Sequence, residues 1–243
     1  MYLYGGLESL SDPWEKMKGM EEAADLLLEK IREKKPIRII GDYDIDGIMS
    51  SYILKKGLEK LKARADVRIP DRLTDGYGLN EHLVLQAYED GMDTIVTCDN
   101  GIAAPAQIAG AKEKGMSVIV TDHHEIPYEE GEDGERRYIL PPADAVINPK
   151  QPGCPYPFKG LCGAGVAFQF IRFLYRKEGI PQEEAWKFLE FAAIATVGDV
   201  MDLQGENRIL VKEGLKRLHH TQNPGLQELI AQNNLDREQV DVY

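Results

Sequence analysis

A chain of 243 residues is long enough to bury one large α/β core, or such a domain with a small helical appendage, without disulfide staples. With 29 Lys and Arg against 41 Asp and Glu, its formal net charge of −12 excludes a protein that grips nucleic acid by bulk positive charge. Three cysteines without a C-x-x-C pair, no apolar run near the roughly 18 residues of a membrane span, and a start (MYLYGGLESLSDPWEK) without a signal-peptide pattern lead us to expect a soluble, cytoplasmic protein that does not enter membranes.

From Trp14 to Glu33, the apolar positions Met17, Met20, Ala24, Leu27, Leu28 and Ile31 recur at steps of three and four, which predicts an amphipathic helix ended by Pro36. Ile37-Arg38-Ile39-Ile40 reads as a strand stopped by Gly41, and a helix is predicted from Ile48 to Lys62. The alternation repeats, with strands at Val67–Pro70, Thr94–Cys98 and Val118–Thr121 and helices at Glu81–Glu89 and Ala104–Lys114. It predicts an α/β fold: a doubly wound, mainly parallel sheet flanked by helices. The polar stretch Glu125–Pro142 reads as a long surface excursion before one more strand, Ala143–Ile147. Beyond a proline-rich linker at Pro149–Pro157 the pattern is helical: Cys162–Lys177, Glu183–Val197, Asn207–Leu218 and Gly225–Asn233. The expected organisation is an α/β domain over 1–150 followed by a smaller all-helical part over 151–243.

Three predicted strands run into acidic or imidazole side chains: GDYDIDG after Ile40, DNG after Cys98 and DHHE after Thr121. In an open parallel sheet, ligands bind outside the carboxyl ends of the strands, so these clusters should meet at one rim. Asp42, Asp44 and Asp46 alternate, which in an extended segment would project them together, and carboxylates so crowded repel unless cations lie between them. Oxygen ligands suit magnesium and manganese, and imidazole from His123 or His124 moves the preference toward manganese. Two such ions, about 3.5–4 Å apart, can activate water and clamp both oxygens of a phosphoryl displacement, and bound cations would offset the acidity of the chain at that place. The competing reading of D-x-D-x-D-G as a calcium loop fails at its twelfth position, which falls on Ile53 where a glutamate is required. Asp99-Asn100-Gly101 alone reads as a β-turn, and His219-His220 lies at a helix end without acidic neighbours.

GDYDIDG, CDNGI, TDHHE and ATVGDV, in this order and spacing, resemble motifs one to four of the DHH phosphoesterase superfamily. Pro70-Asp71-Arg72-Leu73-Thr74-Asp75-Gly76-Tyr77-Gly78-Leu79 and Gly160–Ala167 are similar to segments of its RecJ branch of single-strand-specific exonucleases. The resemblance covers Leu7 to Leu218 and implies a ligand set of Asp42, Asp44, Asp46, Asp99, His123 and Asp199 for two Mn2+ or Mg2+ ions. It implies that Asp99 bridges the ions, that His124 faces the scissile phosphate, and that Asp122 orients a histidine. Arg72 and Tyr77 are candidate phosphate and base contacts, set against an ordinary turn over Asp75–Gly78. Gly163 and Gly165 are candidates to offer N–H groups to a phosphate, set against close helix packing. The family asparagine after Pro70 is Asp71 here, which weakens direct phosphate contact at that position. Family members continue into a DHHA1 domain and an oligonucleotide-binding domain, so a piece trimmed to the catalytic domain is expected.

These features imply a metal-dependent 5′-to-3′ exonuclease acting on single-stranded DNA in repair and recombination. The expected partners are single-stranded DNA and a single-strand-binding protein or helicase, and a monomer is expected. The alternatives are a phosphodiesterase for oligoribonucleotides or cyclic dinucleotides, a pyrophosphatase, and a non-catalytic replication scaffold.

Overall fold

In a computed structural model of the chain, which describes residues 5–10, 17–73, 76, 78–131 and 134–242, the body is a five-stranded sheet of order β2-β1-β3-β4-β7, every neighbouring pair parallel. Its strands are β1 (Pro36–Ile40), β2 (Arg64–Arg68), β3 (Thr94–Cys98), β4 (Ser117–Thr121) and β7 (Ala145–Ile147). The helices are α1 (Met20–Arg32), α2 (Ile45–Lys60), α3 (Glu81–Glu89), α4 (Pro105–Glu113), α5 (Gly163–Lys177), α6 (Leu189–Gly198), α7 (Gly205–Leu218) and α8 (Pro224–Gln232).

Strand alternation divides the core. Ile37, Ile39, Val96, Cys98, Ile119 and Ile147 pack into one apolar cluster with α1, α2 and the helices from α5 onward, whereas Ile40, Ile95, Val118 and Val120 face α3 and α4 in a second. The chain turns from β1 outward to β2, then back across to β3, so the strand order reverses between β1 and β3. The crevice at such a reversal is where doubly wound folds place ligands.

Several boundaries differ from expectation for local reasons. The α2 helix begins at Ile45 and not Ile48, because the Asp44 carboxylate caps it, accepting from the Gly47 amide at 2.9 Å. Strand β2 is Arg64–Arg68, displaced from Val67–Pro70. It is an edge strand, only partly buried, so its alternation is weak. The excursion after the DHHE motif contains an antiparallel hairpin, β5 (Tyr128–Glu130) and β6 (Arg136–Tyr138), exposed on both strands and therefore without burial periodicity. The segment expected as one helix over Glu183–Val197 is a 3-10 helix, Gln182–Phe188, running into α6. Trp14, where the first helix was expected to start, lies outside the described residues. Cys98, Cys154 and Cys162 are buried and form no disulfide, and no helix among the described residues is long and apolar enough to cross a membrane.

Candidate metal centre

The rim formed by β1, β3 and β4 gathers most of the expected residues. Asp46 sits in the first turn of α2, Asp99 follows β3, and His123 follows β4, all three buried. The His123 Nε2 atom lies 3.1 Å from Asp99 Oδ1, 3.5 Å from Asp46 Oδ2 and 3.7 Å from Asp199 Oδ2. Ligand atoms converge in two triads that share this histidine: Asp99, His123 and His124, and Asp46, His123 and Asp199. Asp199 reaches the cluster from the C-terminal end of α6, which brings the helical part of the chain onto the sheet rim.

Electrostatics mark the cluster as incomplete by itself. Burial, together with the charges of Asp46, Asp44 and Asp122, pushes the Asp99 carboxyl far above the usual carboxylate range. Burial, then Asp46, raises Asp199 as well, and burial lowers His123. Neither ring nitrogen of His123, nor Oδ1 of Asp99, has a hydrogen-bond partner among the described residues, although all three are buried. Buried polar atoms are normally satisfied, so a cluster of orphaned polar atoms on one imidazole and its neighbouring carboxylate fits divalent cations, and the Asp and His donor set fits manganese or magnesium.

Asp122 supports the rim from beneath. Its Oδ1 accepts from the amides of His123 at 2.7 Å and His124 at 3.1 Å and pairs with His124 Nδ1 at 2.8 Å, while Oδ2 accepts from the Ile102 amide at 2.9 Å. Burial works to raise this carboxyl, but the His124 bond and these amides outweigh it and hold it below the ordinary value. The half-exposed His124 ring is thereby fixed through Nδ1, and the same bond raises its pKa.

Several expectations need correction. Asp42, Asp44 and Asp46 do not alternate along an extended segment, because the helix starts at Ile45. Asp46 turns inward, whereas Asp44 is an exposed helix cap outside both triads. Asp42, also outside them, accepts from the Tyr43 amide at 2.7 Å, and burial raises its carboxyl. Gly163 does not offer its amide to a phosphate. That N–H donates to Asp46 Oδ2 at 2.6 Å, and the Ala164 amide donates to Oδ1 at 2.7 Å, so the positive end of α5 holds a carboxylate of the protein. Gly165 is a packing glycine, since a β-carbon there would meet the Leu161 side chain at 3.2 Å. Arg72 is exposed, with its guanidinium 5.6 Å over the Tyr43 ring. Tyr77 lies outside the described residues.

Two residues not singled out from sequence organise the rim. Asn100 donates from Nδ2 to the carbonyls of Ile40 (3.1 Å) and Cys98 (2.9 Å), tying the ends of β1 and β3 together. Asn148, after β7, donates to the His124 carbonyl at 2.9 Å. Asparagine in a turn gives no local sign of such non-local bonds. The backbone of Asp99 is left-handed (φ 61°), an uncommon conformation for a residue other than glycine and one that clusters at functional sites. A cleft of about 310 Å³ adjoins the cluster, lined by Asp42, Gly78, Asp99, Asp122, His124 and Glu125 among others.

A parallel α/β sheet with buried carboxylates and imidazole at its topological switch defines the class: a doubly wound protein built to hold divalent cations at the strand ends. The chain belongs to the DHH family, whose N-terminal-domain profile matches residues 36–196. It is 45% identical over 219 residues to the single-stranded-DNA-specific exonuclease RecJ of Bacillus subtilis, covering 90% of this chain and 26% of that protein. The RecJ of Escherichia coli is 35% identical over 239 residues, covering 94% of this chain and 40% of its own length. Among solved structures, an exonuclease RecJ bound to manganese matches with a TM-score of 0.77 and 37% identity, over 89% of this chain and 52% of that one. RecJ of Thermus thermophilus in complex with Mn2+ matches with a TM-score of 0.73 and 35% identity, over 91% and 30% respectively. The chain thus spans a quarter to two-fifths of the length of these curated relatives.

Proposed function

We propose that the chain is the catalytic part of a divalent-cation-dependent phosphodiesterase that removes nucleotides from single-stranded DNA in the 5′-to-3′ direction. The observation that carries this reading is the set of orphaned buried polar atoms on His123 and Asp99, surrounded by Asp46 and Asp199. Asp46, Asp99, His123 and Asp199 would hold two Mn2+ or Mg2+ ions, with Asp44 and Asp42 beside them at the mouth. Bound there, the ions would supply an activated water and charge stabilisation for phosphoryl transfer.

The remaining groups are the protein's own contribution. Asp122 fixes Nδ1 of His124, which presents the other face of that half-exposed ring to a phosphate in the adjoining cleft. Gly163 and Ala164 hold both oxygens of Asp46, so that this carboxylate keeps its position with or without substrate. Arg72, exposed on the loop after β2, would meet the phosphate backbone. The RecJ resemblance supports polarity and a role in repair and recombination, and the reading includes a monomeric cytoplasmic protein that partners a single-strand-binding protein or helicase. It also supports an α/β unit over 1–150 with a helical unit after it.

The test is incubation of the chain with Mn2+ on end-labelled single-stranded DNA and on a dinucleotide, with chelator and Asp99→Ala controls. Release of mononucleotides from the 5′ end, abolished by both controls, is the expected result. Cleavage that survives Asp99→Ala would overturn the assignment of the centre.

A further inference from the structure

On α2, Ile45, Ile48, Tyr52, Lys56 and Lys60 follow one another at three- and four-residue steps, so they form a single stripe along the helix. Ile45 and Ile48 are exposed apolar residues beside the acid–imidazole cluster, in the same turn as Asp46. The other end of the stripe, about 22 Å away at the helical rise of about 1.5 Å per residue, enters a groove of about 750 Å³. Helix α6 runs antiparallel beside the stripe. A β-carbon on Gly198 would meet Ile45 at 2.5 Å, and the Tyr52 and Phe191 rings lie 4.3 Å apart. At the far end, Lys60 pairs with Glu184 at 3.0 Å.

The groove is rich in cations. Of its aromatic residues only Tyr52 is half-buried, and Tyr175, Phe188 and Phe191 are buried beneath it. Its cations are Lys56, Lys60, Lys187, Lys216 and Arg217, against only Glu184 and Glu190 as acids, in a chain where 41 acids outnumber 29 cations. All four lysines are tied to glutamates through their exposed or half-exposed side chains: Lys56 to Glu59, Lys60 and Lys187 to Glu184, and Lys216 to Glu213. Such solvent-exposed pairs are worth about 1 kcal/mol or less, and a phosphate can displace them. A cationic groove of this kind matches the backbone of a single-stranded nucleic acid, whose phosphates pair with lysine and arginine. In a chain of net charge −12, such a cluster of cations is a favourable place for phosphates.

We propose that a single strand engaged at the acid–imidazole cluster continues along the α2–α6 seam into this groove, with phosphates on Lys56, Lys60 and Arg217. The proposal rests on the reading that the cluster acts on single-stranded DNA. It adds the path of the strand away from the reacting end. At a spacing of about 3.4 Å per stacked nucleotide, the stripe accommodates about six nucleotides. Affinity should therefore rise with strand length up to that number and then level off.

The experiment measures binding by fluorescence anisotropy in chelator, comparing a three-nucleotide and a twelve-nucleotide oligothymidylate. The Lys56→Ala/Lys60→Ala/Arg217→Ala variant should bind the long strand about tenfold more weakly. Its salt slope should be flatter by about two, for three lost phosphate contacts, while binding of the short strand changes little. The Lys56→Arg/Lys60→Arg variant should retain the length dependence, which separates loss of charge from loss of fold. Equal weakening on both lengths, or none on either, would overturn the track. Failure of Mn2+-dependent hydrolysis with length-dependent binding intact would count against the exonuclease reading and still support the track. Hydrolysis with length-independent binding would count against the track alone.

Discussion

Gly163 lies directly against Asp99: a β-carbon at position 163 would stand 2.7 Å from both Cβ and Oδ1 of Asp99. The same glycine donates its amide to Asp46, so one backbone position at the start of α5 sets the spacing of two carboxylates of the centre. Gly163→Ala should push Asp99 outward at a cost of about 1–3 kcal/mol of overpacking. Mn2+ affinity, read by calorimetric titration, should fall about 10–100-fold, the effect typical of disturbing a ligand's supports. Unchanged affinity would show that the close approach does not set the ligand geometry.

Loading the centre should stabilise the fold. An ion bound only by the native state at about 100 times its dissociation constant adds about 2.7 kcal/mol, which for a domain of this size is about 5–10 °C in Tm. Thermal unfolding with Mn2+ and with chelator tests this directly. Asp99→Asn should lose most of the shift. Without metal it should be more stable than the parent chain, because the neutral amide is buried beside Asp46 at no charge cost, whereas the Asp99 carboxyl must take up a proton to be buried there. A lower Tm in chelator would contradict that account.

Asp122 touches neither triad's shared imidazole ring, yet it accepts four hydrogen bonds from the His123, His124 and Ile102 region. Asp122→Asn keeps the shape but removes the charge that orders His124. Turnover should drop about 10–100-fold, with kcat affected more than KM. An equal rise in KM alone would assign Asp122 to binding.

Arg38 in β1 is 1% exposed, and its guanidinium is held by Asp66 at 2.9 and 2.7 Å and by Asp90 at 2.8 Å. Both acids retain contact with water. Asp66→Asn/Asp90→Asn leaves the buried cation without its counter-charges and should cost about 1–3 kcal/mol or more, whereas Arg38→Met frees two solvated acids and should cost less. Urea denaturation of the two variants tests this order, and the reverse order would refute it.

Asp93 supplies a pH test away from the centre. Burial works to raise its carboxyl, but hydrogen bonds from Lys30 and Thr94 win and hold it below the ordinary value of 3.8. A depressed folded-state value means stability that is present above pH 3.8 and lost as pH falls through the lower folded value. The difference in unfolding free energy between the parent chain and Asp93→Asn should therefore be constant near neutrality, at about 1 kcal/mol or less for this partly exposed pair. It should shrink below pH 4 or so. A difference that grows on acidification would overturn the sign.

By itself, the sequence determined the strand and helix order and the gathering of three acidic or histidine motifs at one rim. Those features are local: Ile-rich runs stopped by Gly41 or by Asp99-Asn100-Gly101, and apolar steps of three and four in the helices. It also carried the family resemblance, through motifs whose spacing survives without knowledge of the fold. The tertiary structure decided which of the three acids after β1 turns inward, because the Asp44 cap starts α2 one residue later and rotates Asp46 toward His123 and α5. It decided that the Gly163 amide serves Asp46, and that Asn100 ties β1 to β3, since those partners are 117 and 60 residues away. It also placed Asp199 on the rim and aligned α6 with the stripe on α2. Contacts between segments so far apart depend on how helices pack over the sheet, and no local periodicity encodes that packing.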